Sequence, residues 1–410
     1  MFYTQTQIGN AIEGTQSDEY FGKISSMSDD GKTLVIGSPN FSIMSPNNKE
    51  IKVPHAGKVV TYNWTGTEWE QKGDLLLGSK NYEEFGKNIK ISKNGKVLVV
   101  LYQSGLDNTE FYIQAYYLSG STWEKRGEKL ISSEKNHFGN SIVMSFDGKT
   151  LAISSPNFSY STDNYKKGIV DVYDWDGKSY QKRIGKTIFG DFNYRSLGTS
   201  IDMSSDGQTL AVCGQSFNNE KVYSGRFIKI LNWSGSDWVQ IGKDFLFKNK
   251  ENHLQEINIS LSNDGNCIAI GLPDNNLCGE NSGYICVYLW NNTEWILKGN
   301  DLCGKKGYGI GSEIKLCKNG DRIVYSILGA SDYFVALSEI RQGWVEILDF
   351  EASKWVNKSN LIVGNNKEEG FGSSLQTNAE GSFLVVGHSR CCYNNNSEKH
   401  KGKLLTFKTD

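Results

Sequence analysis

Histidine is scarce: five fall among 410 residues, at positions 55, 137, 253, 388 and 400, and they are scattered. That is poor material for general acid–base chemistry. The seven arginines do not cluster on strands where they could clamp a carboxylate. No H-E-x-x-H, G-x-S-x-G or phosphate-cradling glycine loop occurs. No basic run stands out and the formal net charge is −2, so a phosphate-neutralising surface for nucleic acid is not expected. Nothing approaches the roughly 18 consecutive apolar residues of an ordinary membrane helix, so no membrane insertion is expected. The opening "MFYTQTQIGNAIEG" lacks the basic-then-apolar pattern of a secretion signal. Eight cysteines in a chain of this length do not make a disulfide framework. Cys213, Cys267 and Cys286 fall in expected strands, where a reduced cysteine acts as a small hydrophobe, and a reducing compartment fits best.

What the chain has instead is repetition. "FGNSIVMSFDGKTLAISSPN" (138–157) recurs as "FGKISSMSDDGKTLVIGSPN" from Phe21, "FGKNIKISKNGKVLVVLYQS" from Phe85 and "LGTSIDMSSDGQTLAVCGQS" from Leu197. Fainter copies start at Ile257, Gly311 and Phe371. The turn glycines Gly31, Gly95, Gly148, Gly207, Gly265, Gly320 and Gly381 are spaced 53 to 64 residues apart, so seven units consume the chain. Length alone would suggest two or three domains, but a ring of small sheets grows without one large core. One domain spanning 1–410 is therefore expected.

Each unit reads as four strands. The first alternates apolar and polar residues (Ile142, Met144; Ile201, Met203), the sign of a strand with one apolar face. An Asp-Gly or Asn-Gly pair follows in six units, suggesting a tight hairpin with both turn residues at positive φ. The second strand is a continuous apolar run such as "LVIG" or "LAVC", which expects burial on both faces. A variable polar loop then leads through glycine into the third strand, "GKVVTYNW" or "GIVDVYDW". The fourth follows in the pattern W-x-G-x-x-W, as in "WTGTEW" and "WSGSDW". Nine of the ten tryptophans occupy these two hairpin columns, and such recurrence points to packing between units rather than to ligand stacking. The last unit stops at "GKLLTFKTD", one strand short, while "QIGNAIEG" (7–14) matches fourth-strand text. The expected fold is all-β: a seven-bladed β-propeller of four-stranded antiparallel blades, closed by an N-terminal strand (about residues 2–14) that completes the last blade (about 371–409).

Phenylalanine-glycine, an alternating strand, an Asp-Gly turn and then "LVIGSPN" or "LAISSPN" resembles the FG-GAP repeat of integrin-α-like β-propellers. "VYDWDG" and "WEQKG" look like the divergent FG-GAP-type proteins of bacteria, protists and large DNA viruses. The resemblance covers essentially the whole chain and implies non-enzymatic binding; the cysteine usage and the opening residues read above lead to an expected place in the cytoplasm or otherwise inside a cell or virion. Calcium-binding versions carry an oxygen-rich D-x-D/N-x-D-G-x-x-D loop. Here Asp30, Asp147, Asp206 and Asp264 stand nearly alone, and the closing aspartate is replaced by Leu34, Leu98, Leu151, Leu210 and Ile268. These read as turn residues, and neither metal nor cofactor is expected.

Long, unlike loops on a rigid scaffold are where recognition usually sits. Blades one and three share "PNFS", which nominates Phe41 and Phe158 as partner-binding anchors, with Tyr160, Tyr165, Tyr333 and Phe334 beside them. The competing reading is that each ring folds back over its own blade. His388, Cys391, Cys392 and His400 share one loop, but adjacent cysteines make poor joint metal ligands. Lys90, Asp202, Glu313 and Lys315 lie on the first strands and read as solvated channel residues before they read as a ligand ring. The expected function is a protein-interaction platform or assembly subunit acting through the variable loops. The alternatives are a carbohydrate-binding, lectin-like propeller and, further off, a glycan hydrolase.

Overall fold

The computed structural model describes residues 5–17, 19–47, 50–106, 110–132, 138–159, 166–190, 194–217, 223–248, 257–327, 343–364, 370–388 and 401–409. They form seven antiparallel blade sheets, the architecture of a seven-bladed β-propeller, and a two-stranded ribbon, Ile43–Met44 with Ile51–Val53, with a single 3₁₀ turn at Lys318–Gly320 as the one helical element among the described residues. In blade one the strand order is Ile24–Met27, Thr33–Ser38, Lys58–Trp64 and Trp69–Gln71, which is their order in sequence. Blades two to six begin at Asn88, Ile142, Ile201, Asn258 and Glu313 and repeat this order. The seventh runs Phe371–Thr377, Phe383–His388, Lys403–Thr409 and then Gln5–Glu13, so the N-terminal strand completes it. Its register runs from Gln5 opposite Thr409 to Glu13 opposite Lys403.

The chain divides into two compact units: Met1–Ser133, Val324–Asp349 and Asn357–Asp410 form one, Glu134–Ile323 and Phe350–Val356 the other. In the first unit, Leu34 and Ile36 pack with Ile12, Phe21, Val385 and Leu404, while Val35 between them packs with Phe85, Ile91, Leu98 and Trp123. Successive side chains of the second strand thus face different neighbouring blades, and this is why its sequence is continuously apolar. The second unit repeats the device. Leu210 and Val212 join Val143, Ala152 and Val170, whereas Ala211 and Cys213 join Ile259, Ile268 and Ile270. Each fully buried Leu, Ile or Val contributes about 1.5–3 kcal/mol by leaving water.

The tryptophan columns pack between blades, as their recurrence suggested. In the first unit Trp69 Nε1 donates to Thr406 Oγ1 and Trp123 Nε1 to Thr61 Oγ1, both at 2.8 Å. In the second, Trp355 Nε1 donates to Lys298 O at 2.8 Å and Trp295 Nε1 to Ile241 O at 3.2 Å. The outer strand is broken where the next blade's tryptophan arrives. A Cβ on Gly242 would lie 2.6 Å from Trp295 Cδ1, and one on Gly299 would lie 2.9 Å from Trp355 Cδ1. The strand resumes beyond the break as a short second piece, such as Leu76–Leu77 or Ile188–Phe189 on the same third strand.

The hairpin between first and second strands differs from the expected one. In the Asp-Gly turns only the glycine takes positive φ (Gly31 70°, Gly148 66°, Gly207 72°) and the preceding aspartates do not, whereas in blade six both Asn319 (53°) and Gly320 (96°) do. Ser28 O accepts from Gly31 N at 2.9 Å and Ser28 N donates to Thr33 O at 2.9 Å, closing a longer loop around a single left-handed glycine. The aspartate side chain serves that loop. Asp30 Oδ1 accepts from Ser28 Oγ at 2.6 Å and from Lys32 N at 2.9 Å, and Ser28 Oγ in turn accepts from Thr33 N at 3.0 Å. Asp147 with Ser145 and Asp206 with Ser204 repeat the arrangement.

Candidate functional site

The second-to-third-strand loop of blade one begins with "PNFS" and ends at Gly57. Phe41 N donates to Ser38 O at 3.2 Å, and Phe41 O accepts from Gly57 N at 2.9 Å. Phe158 repeats this turn with Ser155 and Gly168 at 3.1 and 3.0 Å. The shared motif therefore closes the base of each loop. Gly57 is required there because a Cβ would sit 2.2 Å from Phe85 N, where the link to the next blade crosses; Gly283 meets Ile310 N at the same distance. Both phenylalanine rings are half-buried. Phe41 lies under the Lys58 ammonium, 4.4 Å from nitrogen to ring centre. Tyr160, Tyr165, Tyr333 and Phe334 lie outside the described residues, as do Cys391, Cys392 and His400. His388 closes the strand Phe383–His388, buried edge-on against Phe371 at 4.8 Å.

Beneath this loop lies a pair of charges that sequence reading missed. Lys58 Nζ is 2.9 Å from Glu19 Oε2, with side-chain exposures of 4% and 0%. Lys58 Nζ also donates to Thr15 Oγ1 at 2.8 Å, and Thr15 N donates to Glu19 Oε1 at 2.6 Å. Burial pulls the Lys58 ammonium below its usual range, and the charge and hydrogen bond of Glu19 oppose that pull. Burial, aided by the Glu19 charge, pushes the Tyr62 hydroxyl up. Blade two carries the acid without the lysine. Glu83 Oε2 accepts from Ser79 N at 2.5 Å and Lys80 N at 2.9 Å. The signal was legible: "GTQSDEYFGK" and "GSKNYEEFGK" share Gly, a hydroxyl residue, Glu four places on, and then Phe-Gly-Lys.

These buried acids fix two links, and the links present side chains to solvent. Tyr82 N donates to Pro54 O at 2.8 Å and its ring stacks on His55 at 5.1 Å. Glu84 N donates to His55 O at 3.0 Å, and Gln103 N to Glu83 O at 2.9 Å. The 51–57, 78–87 and 101–105 segments are thereby joined backbone to backbone. On this corner of blades one and two, Ile51 (60% exposed), Leu106 (71%), Met44 (40%) and Tyr82 (37%) face water. Tyr20, on the preceding link, is also exposed.

The first strands carry no comparable group. Asp202 is structural: Oδ2 accepts from Leu261 N on the next blade at 2.7 Å, and Oδ1 from its own neighbour Met203 N at 2.9 Å. Ser260 and Ser26 cap Leu316 N and Ile91 N in the same way, at 3.0 and 3.1 Å. Lys90, Glu313 and Lys315 are half-buried on their strands. Arg183 is held by Asp174 at two points, Nε to Oδ2 and Nη2 to Oδ1, each 2.7 Å. Among the described residues no group of three or more His, Cys, Asp or Glu is placed to hold a metal ion. No helix among them is long and apolar enough to cross a membrane. Cysteine chemistry departs from the expectation of reduced thiols throughout, since Cys278 and Cys303 are joined in a disulfide.

No protein-family model matches the chain, and no curated protein matches it in sequence. Solved structures match its fold. The β-propeller domain of the Trilobed protease from Pyrococcus furiosus superposes with a TM-score of 0.56 at 10% identity, covering 97% of this chain and 96% of that one. An oligogalacturonate lyase from Vibrio parahaemolyticus gives 0.52 at 9% identity, covering 100% and 97%. At such identities the likeness shows the fold alone, and propellers of this kind include enzymes as well as non-enzymes.

Proposed function

We propose that the chain is a non-enzymatic protein-interaction platform, a divergent relative of FG-GAP propellers, that binds its partner through the loops between second and third strands. The observation that carries this reading is the corner of blades one and two. There Ile51, Tyr82 and Leu106 are exposed on segments locked together by backbone hydrogen bonds, over the buried Lys58–Glu19 pair. Rigid backbone under exposed aromatic and aliphatic side chains lowers the ordering cost of association, and such side chains are the usual anchors of protein interfaces. Phe41 and Phe158 support their loops from beneath in this reading, and Tyr160, Tyr165, Tyr333 and Phe334 extend the same kind of surface on other loops.

The test is quantitative affinity capture from the native source with wild type and an Ile51→Ser/Tyr82→Ser/Leu106→Ser variant of matched melting temperature. A protein captured by wild type and lost by the variant supports the reading. Equal capture by both places the contact elsewhere. Capture of no protein, with binding on a glycan array, replaces this reading with the carbohydrate-binding one.

A further inference from the structure

Cys278 and Cys303 differ from the other described cysteines. Cys213, Cys267, Cys286 and Cys317 are buried inside strands or at their ends. Burial pushes the Cys213 and Cys286 thiols above their ordinary range and the Cys267 thiol up to about 11, which leaves them poor nucleophiles at neutral pH. Cys278 and Cys303 are both exposed to solvent. They are joined across 25 residues, with Cα atoms 5.9 Å apart.

The bond links two distinct elements. Cys278 sits in the second-to-third-strand loop of blade five (273–282), and Cys303 in the outermost strand piece, Leu302–Cys303. Cys303 lies opposite Tyr284, the register held in other blades by Leu77, Phe189 and Val363. Those three point outward at 45%, 52% and 45% exposure. A cysteine at this place is therefore presented to any reductant in solution. Weaker contacts support the same seam: Gly307 N to Glu280 O and Gly309 N to Asn281 O, each 2.9 Å, and an exposed Lys306–Glu280 ion pair at 2.8 Å.

We propose that Cys278–Cys303 is a reversible thiol–disulfide strap that ties the 273–282 loop to the outer strand and frees it on reduction. A dithiol reductant supplies the two electrons and two protons: its thiolate attacks one sulfur, the mixed disulfide resolves, and the reductant leaves as a disulfide while both cysteines become thiols. Solvent-exposed disulfides are the labile ones, whereas the four buried thiols stay out of the exchange. With the strap open, the seam rests on three backbone hydrogen bonds, Ile310 N to Ser282 O at 3.2 Å being the third, and a solvent-screened ion pair; these engage residues 280–282, so the loop tip about Cys278 is the part freed. Because the loop belongs to the recognition set named above, the strap would gate that set; this last step rests on the proposed function, and the redox step does not.

The test uses the full oxidised chain in mixtures of reduced and oxidised dithiothreitol, trapped with N-ethylmaleimide and read by peptide mass spectrometry. Cys278 and Cys303 should take up label together in one transition, with Cys213, Cys267, Cys286 and Cys317 unlabelled. Amide exchange over 275–283 and 304–310 should rise several-fold in the same transition. A Cys303→Ser variant should show the fast exchange without reductant. Label on Cys278 and Cys303 before any reductant is added, separate midpoints for the two, or unchanged exchange on reduction would each overturn the strap. Partner binding enters none of these readouts, so the strap and the interaction reading fail separately.

Discussion

Lys58 and Glu19 form an ion pair at 2.9 Å in which neither side chain reaches solvent to any useful extent. The pair joins the third strand of blade one to the link that follows the N-terminal strand, and so couples ring closure to the first recognition loop. Removing one partner strands the other charge in a low-dielectric site, which costs about 3–5 kcal/mol. Glu19→Ala should lower stability by that amount in a urea melt. Glu19→Leu combined with Lys58→Met should recover most of it, because the desolvation penalty disappears along with the attraction. A loss below about 1 kcal/mol for Glu19→Ala, as exposed pairs show, would mean that the pair is solvated.

The tryptophan columns separate two contributions. Trp355→Phe keeps most of the ring area but deletes the 2.8 Å bond to Lys298 O, and should cost about 1 kcal/mol. Trp355→Ala also empties the space beside Gly299 and should cost about 3–5 kcal/mol. Equal effects of the two substitutions in thermal melts would show that the ring does not pack there.

Asp147 and Asp206 each accept hydrogen bonds that hold a turn. Burial would raise the Asp147 carboxyl, but hydrogen bonds from Lys149 N, Ser145 and the Lys149 side chain outweigh it and hold the group below its usual range. Asp147→Ala and Asp206→Ala should each cost about 1 kcal/mol. Millimolar calcium should leave the wild-type melting temperature unchanged. A calcium-dependent rise in wild type that either variant abolishes would reassign these loops as cation sites.

Acid should expose the Asp174–Arg183 contact. Burial tends to raise the Asp174 carboxyl, but hydrogen bonds from Arg183 and Thr150 and the Arg183 charge bring it below the ordinary 3.8. A carboxyl lowered on folding stabilises the native state above its unfolded value, and that contribution is lost as pH falls through the folded one. The stability difference between wild type and Asp174→Asn should therefore be constant at neutral pH and shrink below about pH 3.8. Asp174 is partly exposed, so the difference should also diminish in high salt. A difference that grows on acidification would contradict the contact.

How much of this was legible depended on periodicity. The apolar second strand recurs in every unit, the tryptophan columns in most of them and the Phe-Gly start in about half, and each has one physical cause repeated. Ring closure could be read because "QIGNAIEG" matches fourth-strand text that the last unit lacks. The turn type could not, since Asp-Gly suits both a two-residue hairpin and the longer loop with glycine alone at positive φ. "PNFS" recurs with a backbone duty that the motif alone does not reveal, since Phe41 and Phe158 each close the base of a loop. The Glu19 half of the buried pair was announced by the motif that blades one and two share, but its partner Lys58 and the Cys278–Cys303 bond are each found in one blade, so no repeat announced those. Ile51 and Leu106 lie in stretches of the variable loops whose sequence is not repeated in other blades, and only their exposure distinguishes them.

The most direct test of the interaction reading is hydroxyl-radical footprinting of the full chain, alone and with its captured partner. The account predicts protection concentrated at Met44, Ile51, Tyr82 and Leu106, with the outer-strand side chains Leu77, Phe189 and Val363 reacting as in the free chain. Protection of those outer-strand residues, with the loop corner unchanged, would contradict it.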